Sequence, residues 1–307
     1  MDRLEEYAEF LREHGGVPSS LAYAVDCSNG MATLLADRLF PGALLINNRL
    51  DGNFPAHSPN PLLADAREQL AAAVRRHRLD CGIIFDGDAD RAMLVDEHGD
   101  FVQCDYLIPI VARATARRAG LELRGLKVLH DVRTSRGAIE TLREDGAVPV
   151  MVSVGHAFAK PAMRRENALC GGELAGHYYF REFHGCDSGA LAALRMLDAI
   201  AEAKARGLTC SQLMHPIVSR YANSGELNFK VEDQDAAIAR ALSAAAAALP
   251  EETGRSTIDG LRIEYAEGWL NIRKSNTEPY LRMIIECDTH SRLARWRETL
   301  SAAIRNA

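Results

Sequence analysis

Residues 81–96 read CGIIFDGDADRAMLVD, and this stretch decides the fold of the first part of the chain. CGIIF and AMLVD are short apolar runs of the kind that form buried strands, and the loop between them is polar. Further out, the strand patterns SLAYAVD and ALLINN alternate with two helical patterns, MATLLADRLF and residues 62–78. Strands that alternate with helices predict an α/β unit built on a parallel sheet.

The same alternation starts again near residue 126, with the strand patterns KVLHD, PVMVSV and ALCGGE, and predicts a second α/β unit. After residue 216 the order becomes β-α-β-β-β-α, which is typical of a small α+β unit with an antiparallel sheet. We therefore expect two consecutive α/β domains with mixed sheets, and a C-terminal α+β domain with its helices on one face. The expected segments are a linker helix over 1–16 and domains over 17–120, 121–215 and 216–307.

Composition and charge narrow the class of protein. The 307 residues carry a formal net charge of −6 without long blocks of one sign, which argues against general nucleic-acid binding. No apolar run approaches the ~20 residues that cross a bilayer, and the charged opening segment is unlike a signal peptide. Seven scattered cysteines without a CxxC pair favour reduced thiols over disulfides or a zinc site. We expect a cytoplasmic protein without nucleic-acid or membrane partners.

The loop after CGIIF carries the sharpest chemical signal. Asp86, Asp88 and Asp90 stand at alternate positions, so their carboxylates can converge on one hard cation, and three carboxylates suit Mg²⁺. The same spacing fits positions 1, 3 and 5 of an EF-hand, but Arg91 stands where that loop needs glycine, and strands flank the loop. The other alternative is a solvated acidic turn. The pattern favours a divalent-cation site with Mg²⁺ as the cofactor.

Two further loops carry candidate ligand groups. In GGELAGHYYF, residues 171–180, glycines flank Glu173 and His177, whose acceptors and donors suit sugar hydroxyls. The alternative is a glycine-rich turn whose two polar side chains face water. In RKSNTEP, residues 273–279, the forked guanidinium of Arg273 and the short polar side chains that follow can bind phosphate. The alternative is a hairpin turn with a surface arginine. The candidate phosphate ligands are Arg273, Ser275, Asn276 and Thr277.

Two basic residues follow predicted strands. Arg133 lies in DVRTSR after KVLHD, and His156 lies in VGHAFAK after PVMVSV. Each could equally be a packed or surface residue, but both occupy the carboxyl ends of strands, where open α/β sheets bind ligands. We therefore include both residues in the candidate site.

Seven motifs, taken in order, resemble the α-D-phosphohexomutase family, most closely its phosphomannomutase/phosphoglucomutase branch. The motifs are VDCSNG, DGNFPAHSPNP, DGDADR, DVRTSR, VGHAF, GGELAGHYYF and GWLNIRKSNTEP. The resemblance implies four domains around a cleft, of which this chain has the second, third and fourth. It also implies intramolecular phosphoryl transfer, in which a phosphoserine phosphorylates a hexose phosphate and the resulting bisphosphate turns over and returns its other phosphate to serine.

The resemblance also implies roles for the candidate residues around that cleft. The catalytic group, beside the transferring phosphoryl group or the sugar, would be Arg91, Arg133 and His156. The Mg²⁺ ligands would be Asp86, Asp88 and Asp90. The residues that bind sugar hydroxyls or the second phosphate would be Glu173, His177, Arg273, Ser275, Asn276 and Thr277.

A counterpart of the family's phosphoserine loop is missing from these motifs. We therefore expect a truncated or split phosphomannomutase/phosphoglucomutase that is inactive alone. Its partners would be a hexose phosphate of mannose or glucose type and, for a split enzyme, a separate chain that supplies the serine domain. A non-enzymatic phosphosugar-binding or regulatory protein is the alternative. A phosphotransferase or phosphatase that uses Ser58 or water is a third hypothesis.

Overall fold

The fold consists of three sheets, each formed by a separate stretch of the chain. A computed structural model describes residues 3–16, 20–275 and 280–305. The first two sheets contain both parallel and antiparallel pairs, and the third is antiparallel. The predicted fold class, two α/β units followed by an α+β unit, is therefore confirmed.

The first unit is a five-stranded mixed sheet. Its helices and strands are α1 (Arg3–His14), β1 (Tyr23–Asp26), α2 (Ala36–Leu39), β2 (Leu44–Ile46), α3 (Glu68–His77), β3 (Cys81–Phe85), β4 (Ala92–Asp96) and β5 (Phe101–Val102). The strand order is β2-β1-β3-β4-β5, with β1 parallel to both of its neighbours and the later pairs antiparallel. All residues of β3 and β4 are buried, which explains the unbroken apolar runs in their sequences.

The second unit repeats this plan with five strands in the order β10-β9-β8-β6-β7. Its elements are α4 (Ile108–Arg118), β6 (Lys127–Asp131), α5 (Arg136–Glu144), β7 (Val148–Val152), α6 (His156–Glu166), β8 (Cys170–Gly172), β9 (Tyr178–Phe180), β10 (Cys186–Asp187), α7 (Gly189–Ala205) and α8 (Cys210–Val218). The sequence pattern does not predict α4, which packs against α5, α7 and β8. One continuous apolar core joins the first and second units.

The C-terminal unit has its own apolar core. Its elements are β11 (Ala222–Asn223), β12 (Leu227–Lys230), α9 (Gln234–Ala248), β13 (Glu252–Ser256), β14 (Leu261–Tyr265), β15 (Gly268–Lys274), β16 (Tyr280–Cys287) and α10 (His290–Arg305). The strand order is β11-β16-β15-β14-β13, and β12 also pairs with β16. The helices α9 and α10 pack against each other, with the alanines at 237, 241 and 245 forming the buried stripe of α9.

A buried arginine connects the C-terminal unit to the second unit. Arg262 donates to the carbonyl oxygens of Val132 and Thr134 at 2.6 and 3.1 Å, and its guanidinium lies 3.7 Å from the ring centroid of Trp269. Glu286, also buried, accepts hydrogen bonds from the Trp269 indole and from the backbone of the second unit. Because buried polar groups of the C-terminal unit find partners in the second unit, these contacts hold the two units in a defined orientation.

Three further expectations concern boundaries, thiols and membranes. The predicted domain bounds stay predictions, and α8 extends across the boundary proposed at residue 216. The seven cysteines are free thiols, six of them buried. Within the described residues, no helix combines the length and the apolar character that a membrane crossing requires.

Candidate functional site

The acidic loop after β3 brings its three aspartates together. Carboxylate oxygens of Asp86, Asp88 and Asp90 lie within 4.8 Å of one another. Ala89 adopts a left-handed backbone conformation with φ of +64°, a strained state for a non-glycine residue that is often found at functional loops. Asp90 Oδ1 is buried without a hydrogen-bond partner in the described part of the chain, so an acceptor is left for a cation. The residues present therefore fit a divalent metal ion.

Arg91 already neutralises one of these carboxylates. Its Nε donates to Asp86 Oδ2 at 2.6 Å, and its backbone N–H donates to Asp86 Oδ1 at 3.1 Å. Burial raises the pKa of Asp86 to about 6, although the charge of Arg91 opposes this shift. Asp86 is thus fixed within the fold, whereas Asp88 is exposed and the Asp90 side chain is 32% exposed.

The loop after β1 forms hydrogen bonds to the acidic loop and to the end of β3. The backbone N–H of Met31 donates to the Gly87 carbonyl oxygen at 2.9 Å, and Ser28 Oγ donates to the Phe85 carbonyl oxygen at 2.5 Å. A Cβ at Gly30 would lie 2.4 Å from the Gly87 carbonyl oxygen, so only glycine allows this approach. The motif VDCSNG therefore serves to hold DGDADR in place.

Asp26 and His57 form a buried pair in the same region. His57 Nε2 lies 3.2 Å from Asp26 Oδ2, and His57 Nδ1 lies 2.8 Å from the Ser58 carbonyl oxygen. Both ring nitrogens face oxygen acceptors, and the hydrogen bond with Asp26 raises the pKa of His57. The folded protein therefore favours the charged imidazolium.

We predict that His57→Gln destabilises the protein more at acidic than at alkaline pH. Because the folded-state pKa is raised, the ion pair contributes fully below the unfolded-state pKa of about 6.5 and is lost as pH rises through the folded pKa. Unfolding midpoints of wild type and variant should therefore converge as the pH rises above the folded-state pKa of His57. His77→Gln, at an exposed position of α3, is the control. A pH-independent difference for His57→Gln would contradict the prediction.

The loop between β8 and β9 places Glu173 in a closed environment. Its Oε1 accepts from the Tyr179 hydroxyl at 2.5 Å, and its Oε2 accepts from the Gly155 backbone at 3.2 Å. Burial raises the pKa of Glu173. The alternative of a turn whose glutamate faces water is wrong, since this side chain is buried.

His177 links this loop to the acidic loop. Its Nδ1 donates to Asp187 Oδ2 at 3.0 Å and lies 3.7 Å from Asp90 Oδ2, and its backbone forms a β-bridge with Arg91. Burial lowers the pKa of His177, but Asp187 and the nearby carboxylates outweigh burial, so that the pKa is raised. Ligand atoms of Asp90, His177 and Asp187 also lie within 4.8 Å of one another. Each group contains one carboxylate that is already paired, Asp187 with Lys160 at 2.9 Å and Asp86 with Arg91 at 2.6 Å. The three-aspartate group is the better Mg²⁺ site because all of its ligand atoms are carboxylate oxygens.

Arg133 is buried next to Glu173 of the loop between β8 and β9. Asp131 accepts from Arg133 Nη2 at 2.6 Å, from its Nε at 3.1 Å and from its backbone N–H at 2.7 Å. Asp131 also accepts from the Leu174 backbone at 3.0 Å, and Arg133 Nη2 lies 3.9 Å from Glu173 Oε2. Burial raises the pKa of Asp131, but the charge of Arg133 outweighs it, so the pKa is lowered. The surface alternative for Arg133 is wrong.

The other candidates fall into two groups. Arg273 is buried on β15 and meets Glu226 at 3.4 Å, and Ser275 donates its backbone N–H to the Tyr280 carbonyl oxygen at 2.8 Å. His156 is exposed at the start of α6, with its ring centroid 6.0 Å from that of His177. The predicted ligands Asn276 and Thr277 lie outside the described residues.

Polar contacts thus run from the acidic loop to the C-terminal unit. Asp90 contacts His177 in the loop between β8 and β9. Glu173 of the same loop contacts Arg133, and Glu226 contacts both Arg133 and Arg273. Sequence reasoning missed the side chains that hold these groups. Those residues are Asp131, Lys160, Tyr179, Asp187 and Glu226. The position of Asp131 at the carboxyl end of β6 is a signal that could have identified it, whereas Glu226 lies in a loop without any pattern.

Models of three successive domains of one family match the chain. Alpha/beta/alpha domain II of the phosphoglucomutase/phosphomannomutase family matches residues 5–99, and alpha/beta/alpha domain III matches residues 103–221. The C-terminal domain of the same family matches residues 226–303. The order of the matches is the order of the three sheets.

Curated relatives carry related names. A protein of Xanthomonas campestris pv. campestris named phosphohexose mutases is 37% identical over 270 residues, which cover 87% of this chain and 58% of the relative. A phosphomannomutase of Escherichia coli is 35% identical over 298 residues, which cover 92% of this chain and 62% of the relative. This chain therefore spans about three-fifths of the length of these relatives.

Solved structures agree with the fold. A phosphoglucomutase/phosphomannomutase family protein from Burkholderia thailandensis has a TM-score of 0.84 and 29% identity, covering 100% of this chain and 66% of that chain. An N-acetylphosphoglucosamine mutase from Aspergillus fumigatus, in complex with GlcNAc-6P and magnesium, has a TM-score of 0.67 and 15% identity, with coverages of 99% and 69%. The latter shows similarity of fold alone. From the three domain matches and the relatives, we conclude that the chain belongs to the phosphoglucomutase/phosphomannomutase family.

Proposed function

We propose that this chain is the Mg²⁺- and phosphosugar-binding part of a phosphohexomutase that interconverts hexose 1-phosphate and 6-phosphate of mannose or glucose type. The observation that carries the proposal is the line of contacts that joins an acidic loop, a Glu–His pair and buried arginines across three units. A phosphosugar offers matching groups: a transferring phosphate, hydroxyls and a second phosphate. The names of the relatives and the GlcNAc-6P and magnesium bound to a protein of similar fold support this assignment.

Each group has a separate task in this proposal. Asp86, Asp88 and Asp90 would hold Mg²⁺, which when bound neutralises charge on a transferring phosphoryl group. Glu173 accepts and His177 donates hydrogen bonds to sugar hydroxyls, and both are oriented by neighbouring side chains. The remaining assignments are Arg91 and Arg133 for phosphate contact, His156 for proton transfer or phosphate contact, and Arg273, Ser275, Asn276 and Thr277 for the second phosphate.

The phosphoryl donor is the part of the reaction that these residues do not supply. The family resemblance implies a phosphoserine. HSPNP, residues 57–61, is only superficially similar to that serine loop and matches a non-catalytic loop of the second domain. We therefore propose that turnover requires a serine-bearing domain in addition to these residues. The alternative, a phosphosugar-binding or regulatory protein, shares the ligand but needs no phosphoryl donor.

Ligand binding and complementation together test the proposal. The pure chain should bind mannose 1-phosphate or glucose 1-phosphate in a calorimetric titration with Mg²⁺, and should not convert either sugar phosphate alone. Addition of a separately expressed serine domain from a relative, with glucose 1,6-bisphosphate as activator, should restore conversion.

The possible outcomes distinguish the hypotheses. Binding without any gain in activity on complementation would favour a regulatory protein. Conversion by the pure chain would refute the need for a serine domain. Intact-mass measurement after incubation with glucose 1,6-bisphosphate should show no added phosphate, and phosphate on Ser58 would favour the third hypothesis.

A further inference from the structure

One carboxylate lies among three arginines in the cleft between the second and C-terminal units. Glu226 Oε1 lies 3.4 Å from Arg133 Nη1 and 3.4 Å from Arg273 Nη2, and Glu226 Oε2 lies 3.3 Å from Arg282 Nη1. Arg133 follows β6, whereas Arg273 and Arg282 belong to β15 and β16. Glu226 itself lies between β11 and β12. An anion site is thus formed by both units and contains a carboxylate of the chain.

Two of the three arginines place like charges close together. Arg273 and Arg282 stand directly opposite each other on adjacent antiparallel strands, an arrangement that is unfavourable for like charges. Burial lowers the pKa of Arg273, and the charges of Arg133 and Arg282 lower it further, although Glu226 and Asp259 oppose this shift. Arg273 Nε is also buried without a hydrogen-bond partner in the described part of the chain. Its unpaired donor indicates that Glu226 does not fully satisfy the site.

The contacts of Glu226 are longer than those of other ion pairs in the same region. Arg133 meets Asp131 at 2.6 Å, and Arg262 meets Glu264 at 2.6 Å, whereas each contact of Glu226 is 3.3–3.4 Å. Charge-assisted hydrogen bonds are usually about 2.7–2.9 Å. The two carboxylate oxygens of Glu226 contact three guanidinium groups, of which Arg133 is also paired with Asp131. A phosphate dianion offers three terminal oxygens and a larger charge, so it fits this site better.

Glu226 is less enclosed than the other carboxylate that contacts Arg133. Its side chain is 22% exposed, whereas Asp131 is fully buried against Arg133. Water therefore reaches the Glu226 carboxylate in the folded protein.

We propose that Glu226 is an internal competitor for phosphate, which occupies the anion site of Arg133, Arg273 and Arg282 until a phosphate group displaces it. The proposal rests on the proposed function, because it assumes that Arg273 binds the phosphate of a phosphosugar. The competition lowers the affinity for every anion. The competition also favours doubly charged phosphate over singly charged anions. A singly charged anion that replaces the Glu226 carboxylate gains little electrostatic energy, because the two carry the same charge.

Binding of inorganic phosphate and glucose 1-phosphate to Glu226→Gln tests the proposal. Glutamine keeps the shape of the side chain and removes its charge. At about pH 8, where a phosphate group is doubly ionised, calorimetry should show at least about tenfold tighter binding of either ligand than to wild type. Glu252→Gln, an exposed partner of Arg255 in the same unit, is the matched control and should bind as wild type does.

Some outcomes would refute competition by Glu226 alone, and others would also refute the proposed function. Equal or weaker binding by both Glu226→Gln and Glu226→Ala would show that Glu226 organises the arginines, while wild-type binding would keep the proposed function intact. The proposed function would also be refuted if wild type bound neither inorganic phosphate nor glucose 1-phosphate. The same holds if Arg273→Ala bound these ligands as tightly as wild type. Unfolding midpoints of all variants establish that the fold is retained. A variant that bound tighter only to singly charged anions would also refute competition with phosphate.

Discussion

Asp131→Ala is expected to lower the free energy of unfolding by about 3–5 kcal/mol, the range for removal of one partner of a buried ion pair. Asp131 is fully buried and accepts three hydrogen bonds from Arg133 and one from the Leu174 backbone. Without it, the buried guanidinium of Arg133 loses its strongest counter-charge. Carboxylate oxygens of Glu173 and Glu226 lie 3.9 and 3.4 Å from the Arg133 guanidinium, so each is a weaker partner than Asp131 at 2.6 Å.

Urea unfolding followed by circular dichroism measures this effect. Asp145→Ala is the matched control, because Asp145 also pairs with an arginine, Arg113, but at the surface, where such pairs contribute about 0–1 kcal/mol. Asp131→Asn should fall between the two, since it keeps an acceptor and loses the charge. If Asp131→Ala were no more destabilising than Asp145→Ala, the buried pair would contribute little to the fold.

The central strands of the first sheet, β1, β3 and β4, could be predicted from the sequence because they are buried on both faces. β3 and β4 consist of buried residues throughout, so their apolar runs stand out from the loops around them. The acidic loop was accessible for a different reason. Its three aspartates are close in sequence, so their convergence needs only a local turn.

Two of the elements that were not predicted, α4 and β13, lack the usual pattern. Helix α4 is buried over most of its length, so its polar face is narrow and the helical period is hard to recognise in the sequence. Strand β13, with the sequence ETGRS, contains no apolar residue, because it is an edge strand that pairs only with β14 and is largely exposed. Periodicity detects half-buried elements, and these two lie at the extremes of burial.

The residue pairs of the candidate site could not be predicted from the sequence because their members are distant along the chain. Arg133 and Glu226 are 93 positions apart, and Arg273 and Glu226 are 47 positions apart. Such pairs depend on how β6, β12 and β15 meet across two units. A sequence pattern can mark Arg273 as a phosphate ligand, but only the fold reveals which carboxylate lies against it.

The double variant Asp88→Asn, Asp90→Asn is expected to reduce Mg²⁺ affinity by more than about 100-fold. Loss of residues that merely orient metal ligands already costs about 10–100-fold, so loss of two ligands should cost more. The fold should survive, because Asp88 is exposed and Asp90 partly exposed, whereas the buried Asp86, which is paired with Arg91, is left unchanged.

Calorimetric titration with Mg²⁺, together with unfolding midpoints with and without the metal, measures the effect. Asp37→Asn, Asp65→Asn removes two exposed carboxylates from the same unit and is the charge-matched control. The control should bind Mg²⁺ as wild type does, since general attraction of a cation to a protein of net charge −6 changes little with two distant charges. Equal losses in both double variants would mean that Mg²⁺ is held by overall charge. A loss confined to Asp88→Asn, Asp90→Asn would locate the ion at the acidic loop, since only there do three carboxylates converge beside a buried acceptor without a partner in the described part of the chain.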